Sequence, residues 1–477
     1  MTFTRLSKTL TPFFLLIAAS ACGESIDEEL RRSDRAEWPF YGHDYENTRA
    51  NTDERRLSRA NVATLEKKWE WTEAAVTSTP VLRGNALYFG TWASNTEAVN
   101  YRDGTKIWSA DLQPANGINQ VNHTPFVTDD SVYSGAHVAQ LFALRRDNGE
   151  RIWEKPVVLE DAPALMLWSS PIVVDDLLII GVGSYQVFFP VDPASFEVFR
   201  GSVVAVNVNT GVIAWQTFMT DVSGVSVWST AAIDKELGLL FIGTGQPYDR
   251  EPESPMSDAL VALDYKTGVK KWHRQFTGGD VFQLRRTAAE VGPDHDVGAS
   301  PNLFKIGKRA VVGVADKEGT YYTLDRASGE EVWRKKLTPG GANGGVMAST
   351  AYHAGVIYIA SNDGASGGRA GAGGGPARGV IFALNAKDGS VRWEAEMDAG
   401  TFGGVTYANG LLFVPMLDGT LRVFDTANGG ELWRAQVGDT MAGGVTVARG
   451  MVFVGHGWAW LPLAQLKGGL VAFGLPE

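Results

Sequence analysis

The 477-residue chain is poor in the residues that usually build metal and redox sites: it has one cysteine, Cys22, and seven histidines. A single cysteine gives neither an internal disulfide nor a thiolate cluster. The histidines never fall three or four apart, so local spacing supports no zinc site. No uncharged apolar run approaches the ~20 residues needed to cross a bilayer as a helix. Basic residues are outnumbered 43 to 54, for a net charge of −11, so a nucleic-acid partner is not expected. No P-loop or Gly-x-Gly-x-x-Gly turn occurs, and no Cys-x-x-Cys-His attaches a c-type haem. What is abundant is glycine, at 55 residues, and tryptophan, at 15. That usage suits an all-β protein with many tight turns and large aromatic contacts between sheets.

Residues 1–22 read as an export signal. Arg5 and Lys8 precede an apolar run from Pro12 to Ala21, about ten residues and too short to span a membrane. The run ends Ala18-Ala19-Ser20-Ala21-Cys22, small residues before the only cysteine. This resembles the bacterial lipoprotein box, which implies lipidation of Cys22 and a periplasmic protein held to the membrane by lipid alone. The alternative is an ordinary signal peptide cleaved after Ala19-Ser20-Ala21. Residues 23–37 are polar, lack apolar periodicity and read as a solvated tether. Residues 38–477 read as one domain.

That domain is repetitive. A small or apolar residue, then Asp or Asn, a glycine turn and a tryptophan recur seven times, ending at Trp108, Trp153, Trp215, Trp272, Trp333, Trp393 and Trp433. An alternating strand enters the turn, a glycine such as Gly268 in Asp264-Tyr265-Lys266-Thr267-Gly268 supplies positive φ, and the chain returns through the Trp strand. A second alternating pair precedes most copies, so each unit supplies about four short strands. Trp-to-Trp intervals run from 40 to 62 residues. Four strands and one indole per unit fit a β-propeller blade whose tryptophan fills space against its neighbour. Residues 65–71 hold a Trp strand with no hairpin before it, and the C-terminus holds strands 450–455 and 469–473 with no Trp strand after them. Joining these ends closes an eight-bladed ring with no free edge. The glycine-rich run 364–379 reads as a surface loop, and 184–201 and 246–258 as long excursions over one face.

The Ala-x-Asp-x-x-Thr-Gly-x-x-x-Trp phrase resembles the tryptophan-docking repeat of pyrroloquinoline quinone (PQQ) dehydrogenases, over nearly all of residues 65–477. Other propeller lipoproteins share it. Trp38-Pro39-x-Tyr41-Gly42-His43-Asp44-x-x-Asn47-Thr48-Arg49, Phe199-Arg200-Gly201-Ser202, Gly292-Pro293-Asp294-His295-Asp296-Val297-Gly298-Ala299-Ser300-Pro301 and Pro339-Gly340-Gly341 are similar to the polyvinyl-alcohol dehydrogenase-like quinoproteins. The resemblance implies a planar quinone lying on Trp228, a basic partner for the quinone oxygens at Lys317, and a catalytic base at Asp280. It also implies a calcium ion, for which Gln246 and Asp280 are the candidate ligands, with Gln186 as a further cofactor-site residue.

Three departures stand out. Gln246 replaces the family's ligand Asn, Gln186 falls where its ligand Glu belongs, and Phe196-Glu197 stands where a cysteine pair covers the quinone. Calcium affinity follows ligand charge, so calcium is expected to be weak or absent. Two readings result. One is an exported quinoprotein oxidising a small or polymeric alcohol and passing electrons to a separate acceptor such as a cytochrome c. The other is a catalytically silent, lipid-anchored propeller that binds a protein or glycan.

Overall fold

The computed structural model describes residues 1, 26–112, 120–136, 139–157, 165–184, 199–248, 254–282, 292–363, 378–457 and 467–476. Cys22, Gln186, Phe196-Glu197 and most of the glycine-rich run lie outside them.

The repeat folds as its pattern dictates. Eight antiparallel sheets form the blades of a ring, six of four strands and two with a fifth short strand. Blades 1 to 7 span residues 81–111, 126–156, 172–218, 232–275, 302–336, 351–397 and 406–436. The first strands of successive blades touch one another around the axis, and the Trp strands lie outermost. Blade 8 joins the two ends. Glu66–Trp71 pairs with Gly469–Gly474, Trp69 opposite Ala472, and takes the outermost place beside strands 451–456 and 446–448. The eight-bladed closure expected from residues 65–71 is thus realised.

Each hairpin glycine is required twice. Gly268 sits at φ +71°, and a Cβ there would lie 2.5 Å from the Trp215 ring of the blade before. The same left-handed turn recurs at Gly104, Gly149, Gly211, Gly329, Gly389 and Gly429, each under the preceding tryptophan. The indole N–H then donates to a backbone carbonyl of that next blade: Trp108 to Arg146 at 2.9 Å, Trp272 to Arg326 at 2.9 Å, Trp393 to Thr426 at 2.9 Å. Trp433 reaches Leu65 O at 3.3 Å and carries the docking across the chain ends. Trp215 breaks the pattern, its buried indole nitrogen making no hydrogen bond.

A second ring runs round the axis. Thr124 Oγ1 accepts from the N–H of Thr79, Ser170 from Thr124, Thr230 from Ser170, Ser300 from Thr230 and Ser349 from Ser300, at 2.9–3.1 Å. Blades 7 and 8 carry Gly404 and Gly444 instead, and the guanidinium of Arg49 fills the space; a Cβ at either glycine would fall within 2.6 Å of it. Arg49 is fully buried and donates to the carbonyls of Tyr41, Val405 and Gly404 and to Thr406 Oγ1. It belongs to a strap, residues 38–51, laid across one mouth of the channel. The strap touches every blade: Trp38 pairs with Leu82, Phe40 stacks on Phe126, Tyr45 reaches Val173, and Asn47 reaches Thr230 and Ala231. Asn302 and Tyr352 donate to the carbonyls of Asn47 and Thr48, Ala50 and Asn51 pair with Tyr407 and Ala408, and Asn51 donates to Val447 O.

The expected tether differs from what the structure shows beyond residue 25. Ile26–Ser33 form a helix, and Ser33 and Ala36 are buried. Ser33 Oγ donates to Glu54, whose carboxylate also accepts the N–H groups of Arg56, Leu57 and Gly450. A polar segment without apolar periodicity is held here through one buried carboxylate, which periodicity does not report. Among the described residues no helix is long and apolar enough to cross a membrane.

Candidate functional site

The mouth opposite the strap is shaped by the loops between second and third strands and by the links between blades. Trp228 lies on the link into blade 4, half-buried, with its ring packed on the backbone of Gly298; a Cβ there would overlap the indole at 1.7 Å. Trp168 stands edge-on to it, centroids 6.5 Å apart at 81°. The Phe199-Arg200-Gly201 motif holds the link in place. Gly201 N–H donates to Gly224 O, Gly224 N–H to Phe199 O, and Val225 N–H to Gln246 O.

Gln246 lies just after the second strand of blade 4. Its backbone N–H donates to Asp296 Oδ1 at 3.1 Å and its side-chain amide to Phe282 O at 3.0 Å. Asp296 and the Trp228 indole nitrogen meet at Gly245, where a Cβ would stand 2.6 Å from the carboxylate and 3.5 Å from the ring. Asp280, also buried, accepts from Phe282 N–H at 3.0 Å and His295 N–H at 2.7 Å.

Lys317 is 5% exposed. Its ammonium donates to Asp294 and lies 3.5 Å from Asp296. Its backbone is clamped on both sides: Lys317 N–H donates to Asp296 O, and Gly341 N–H to Lys317 O at 2.9 Å. The Pro339-Gly340-Gly341 motif is therefore the lysine's seat. Gly340 and Gly345 pack so closely on Lys317 O that a Cβ would come within 2.6 Å.

The structure thus gathers Trp228, Gln246, Asp280 and Lys317, which lie up to 89 positions apart in sequence. It adds Asp258, Asp294 and Asp296, which the sequence reading had not picked out as site residues. The Asp294-x-Asp296 spacing was a usable signal for two of them; Asp258 carried none. Asp258 is wholly buried at φ +46°, and neither carboxylate oxygen makes a hydrogen bond.

Four acids and one ammonium in a dry place perturb one another. Burial, reinforced by the charges of Asp280, Asp296 and Asp294, holds Asp258 well above the ordinary carboxylate range. Burial pushes Asp280 up to about 6, while the backbone N–H of His295 opposes the rise. Burial also raises Asp294, with Lys317 pulling the other way. For Lys317 burial acts to lower the pKa, but the charges of Asp294 and Asp296 outweigh it and the ammonium is kept.

An aromatic floor beside a fixed ammonium fits a planar, anionic quinone. A divalent cation fits less well. Asp280 is bonded to backbone amides, Asp294 and Asp296 are engaged with Lys317, and the Gln246 amide is tied to Phe282. Among the described residues no group of three or more His, Cys, Asp or Glu side chains is arranged to hold a metal ion.

Fold and site together define an eight-bladed, tryptophan-docked propeller with an aromatic floor and a buried ammonium at one mouth. The family model described as glucose/ethanol/alcohol dehydrogenase, β-propeller domain, matches residues 160–351, the stretch that carries Trp228, Asp258, Asp280 and Lys317. The model described as outer membrane protein assembly factor BamB matches residues 39–217 and 317–473. Polyvinylalcohol dehydrogenase of a Pseudomonas species is 25% identical over 416 residues, covering 78% of this chain and 63% of that protein. Among solved structures, quinohemoprotein alcohol dehydrogenase ADHIIG of Pseudomonas putida HK5 superposes with a TM-score of 0.76 at 21% identity, over 93% of this chain and 81% of that one. BamB of Moraxella catarrhalis reaches 0.56 at 14% identity, over 87% of this chain and 99% of that one. The chain belongs to the PQQ-repeat family of β-propellers and is a PQQ-dependent alcohol dehydrogenase-like member of it. It spans somewhat under two thirds of the length of the curated relative it matches.

Proposed function

We propose that the protein is an exported quinoprotein that oxidises an alcohol with PQQ and passes electrons to a separate acceptor such as a cytochrome c. The observation that carries this reading is the half-buried Trp228 indole beside the clamped Lys317 ammonium, within the stretch matched by the dehydrogenase model. When bound, the quinone supplies the two-electron acceptor that no side chain here can provide. The chain's own residues do the rest. Trp228 would support the ring, and the Lys317 ammonium would hold and polarise the quinone oxygens. Asp280, with a pKa near 6, takes the hydroxyl proton of the alcohol. Gln246 is a neutral group at the cofactor edge, and the family resemblance implies Gln186 as a second. With these two amides in place, calcium binding at Gln246 and Asp280 is weak or absent. Cys22 is the lipidation site, so the protein resides in the periplasm on a lipid anchor, with the propeller from residue 38 onward as its one domain.

One observation favours the silent scaffold. Both oxygens of Asp280 already accept backbone N–H groups, which makes it a less available base. Titrating the purified protein with PQQ while following tryptophan quenching, then assaying dye reduction with primary and secondary alcohols, separates the two. Saturable quenching with alcohol-dependent dye reduction supports the enzyme. Absence of saturable quenching refutes it and leaves the scaffold.

A further inference from the structure

The acidic cluster at the mouth raises a question of charge: what balances it. Three of the four acids can be followed to a partner. Asp280 is stabilised by the N–H groups of Phe282 and His295, and Asp296 Oδ1 by the N–H of Gln246. Asp294 and the second oxygen of Asp296 share the Lys317 ammonium. Asp258 has no donor, and a fully buried carboxyl with no donor is held neutral by a proton. Among the described residues Asp280, Asp294 and Asp296 are thus each already met by backbone amides, by Lys317 or by both.

The lysine is also not free to withdraw. Its backbone is bonded to Asp296 O on one side and to Gly341 on the other, and Gly340 and Gly345 press on its carbonyl. A mobile surface lysine would give up its rotamer freedom on binding; this one is fixed before any ligand arrives. Meanwhile the amide of Gln246, a neutral group to begin with, is turned to Phe282 O.

We propose that the Lys317 ammonium is the resident cation of this site, supplying from within the chain the positive charge that a bound divalent metal would otherwise bring, so that an anionic quinone binds without calcium. The proposal builds on the quinoprotein reading for its ligand, but its central claim concerns the balance of charge in the protein alone. Removing the ammonium leaves Asp294 without its cation and Asp296 with only the Gln246 N–H, and the pair then becomes a site that a calcium ion can fill.

The test is therefore made in two arms, with and without quinone. In the first, melting curves of wild type and Lys317→Met are recorded in EDTA and in calcium at about 5 mM, a concentration that loads even weak oxygen sites. Wild type should melt at the same temperature in both; Lys317→Met should melt lower in EDTA and recover in calcium. Lys317→Arg keeps the charge and should behave as wild type. If Lys317→Met does not fold, Lys317→Met with Asp294→Asn removes one charge of each sign; it should fold and lose most of the calcium response. A wild-type melting temperature that rises with calcium overturns the proposal, as does a Lys317→Met protein indifferent to it.

In the second arm, PQQ binding is followed by tryptophan quenching under the same conditions. Wild-type affinity should not change between EDTA and calcium, and Lys317→Met should bind on the order of 10–100-fold more weakly in EDTA, the loss of one charge-assisted contact. Calcium-dependent binding by wild type also overturns the proposal. Should wild type bind no quinone in either buffer, the quinoprotein reading fails, while the melting arm still decides where the cation is.

Discussion

The docking of each tryptophan on the next blade divides into two contributions that the structure allows to be measured separately. Trp215 and Trp272 are both half-buried outer-strand indoles, each seated on a left-handed glycine of the following blade, Gly268 and Gly329. Trp272 donates to Arg326 O at 2.9 Å; the Trp215 nitrogen is buried with no acceptor. Replacing either by Phe removes a comparable part of the ring and should cost about 1–2 kcal/mol in lost packing. Only at Trp272 does the change also strip a carbonyl of its donor, a further cost of about 1–3 kcal/mol. At Trp215 the same change deletes an unsatisfied N–H, which offsets part of the packing loss. Trp272→Phe is therefore expected to lose about 2–5 kcal/mol, and Trp215→Phe under about 2 kcal/mol. Urea midpoints followed by far-UV circular dichroism measure this, since the far-UV β signal is less sensitive than emission to loss of a fluorophore. The comparison is valid where the two variants share the wild-type m-value. Equal losses would refute the view that the indole N–H holds neighbouring blades together, and would leave the tryptophans as space-fillers.

Deleting residues 66–71 removes the strand that pairs with Gly469–Gly474 together with the buried Trp69 and Trp71, and the melting temperature should fall markedly; an unchanged curve contradicts the ring closure. Arg49→Lys cannot reproduce the guanidinium fork that reaches Tyr41, Val405, Gly404 and Thr406, and should cost about 2–4 kcal/mol in the same urea assay. If Asp280 is the base, kcat/KM for the alcohol should fall as pH drops through about 6, because the carboxyl must be ionised to accept a proton and burial has raised its pKa to that value. A profile flat from pH 7 to about 5 assigns the base elsewhere. Cys22→Ser should abolish lipid labelling and release the exported protein from the membrane, whereas wild type already free in the periplasm would contradict lipidation.

The sequence by itself determined the blade. A turn such as Asp264-Tyr265-Lys266-Thr267-Gly268 and a tryptophan four residues later are local signals, and the hairpin they specify needs nothing beyond its own residues and the next copy. Closure was legible for the same reason, since an unpaired Trp strand at one end matched missing strands at the other. Trp228, Lys317 and Asp280 are named only through the family resemblance of the segments that carry them. The tertiary structure alone decided the rest. That residues 38–51 cross the whole channel, with Arg49 completing a ring of hydroxyls where Gly404 and Gly444 leave room, depends on eight blades meeting at one axis. The helix Ile26–Ser33 is polar, and its seat on Glu54 is a long-range contact that no local pattern announces. The acidic cluster is the clearest case. Asp258 stands in the bend just before a blade strand, Asp280 and Asp294 on the link that follows, and Lys317 in the next blade; only folding encloses them in the low-dielectric space where burial, rather than residue type, sets which acids keep a proton and which share the ammonium.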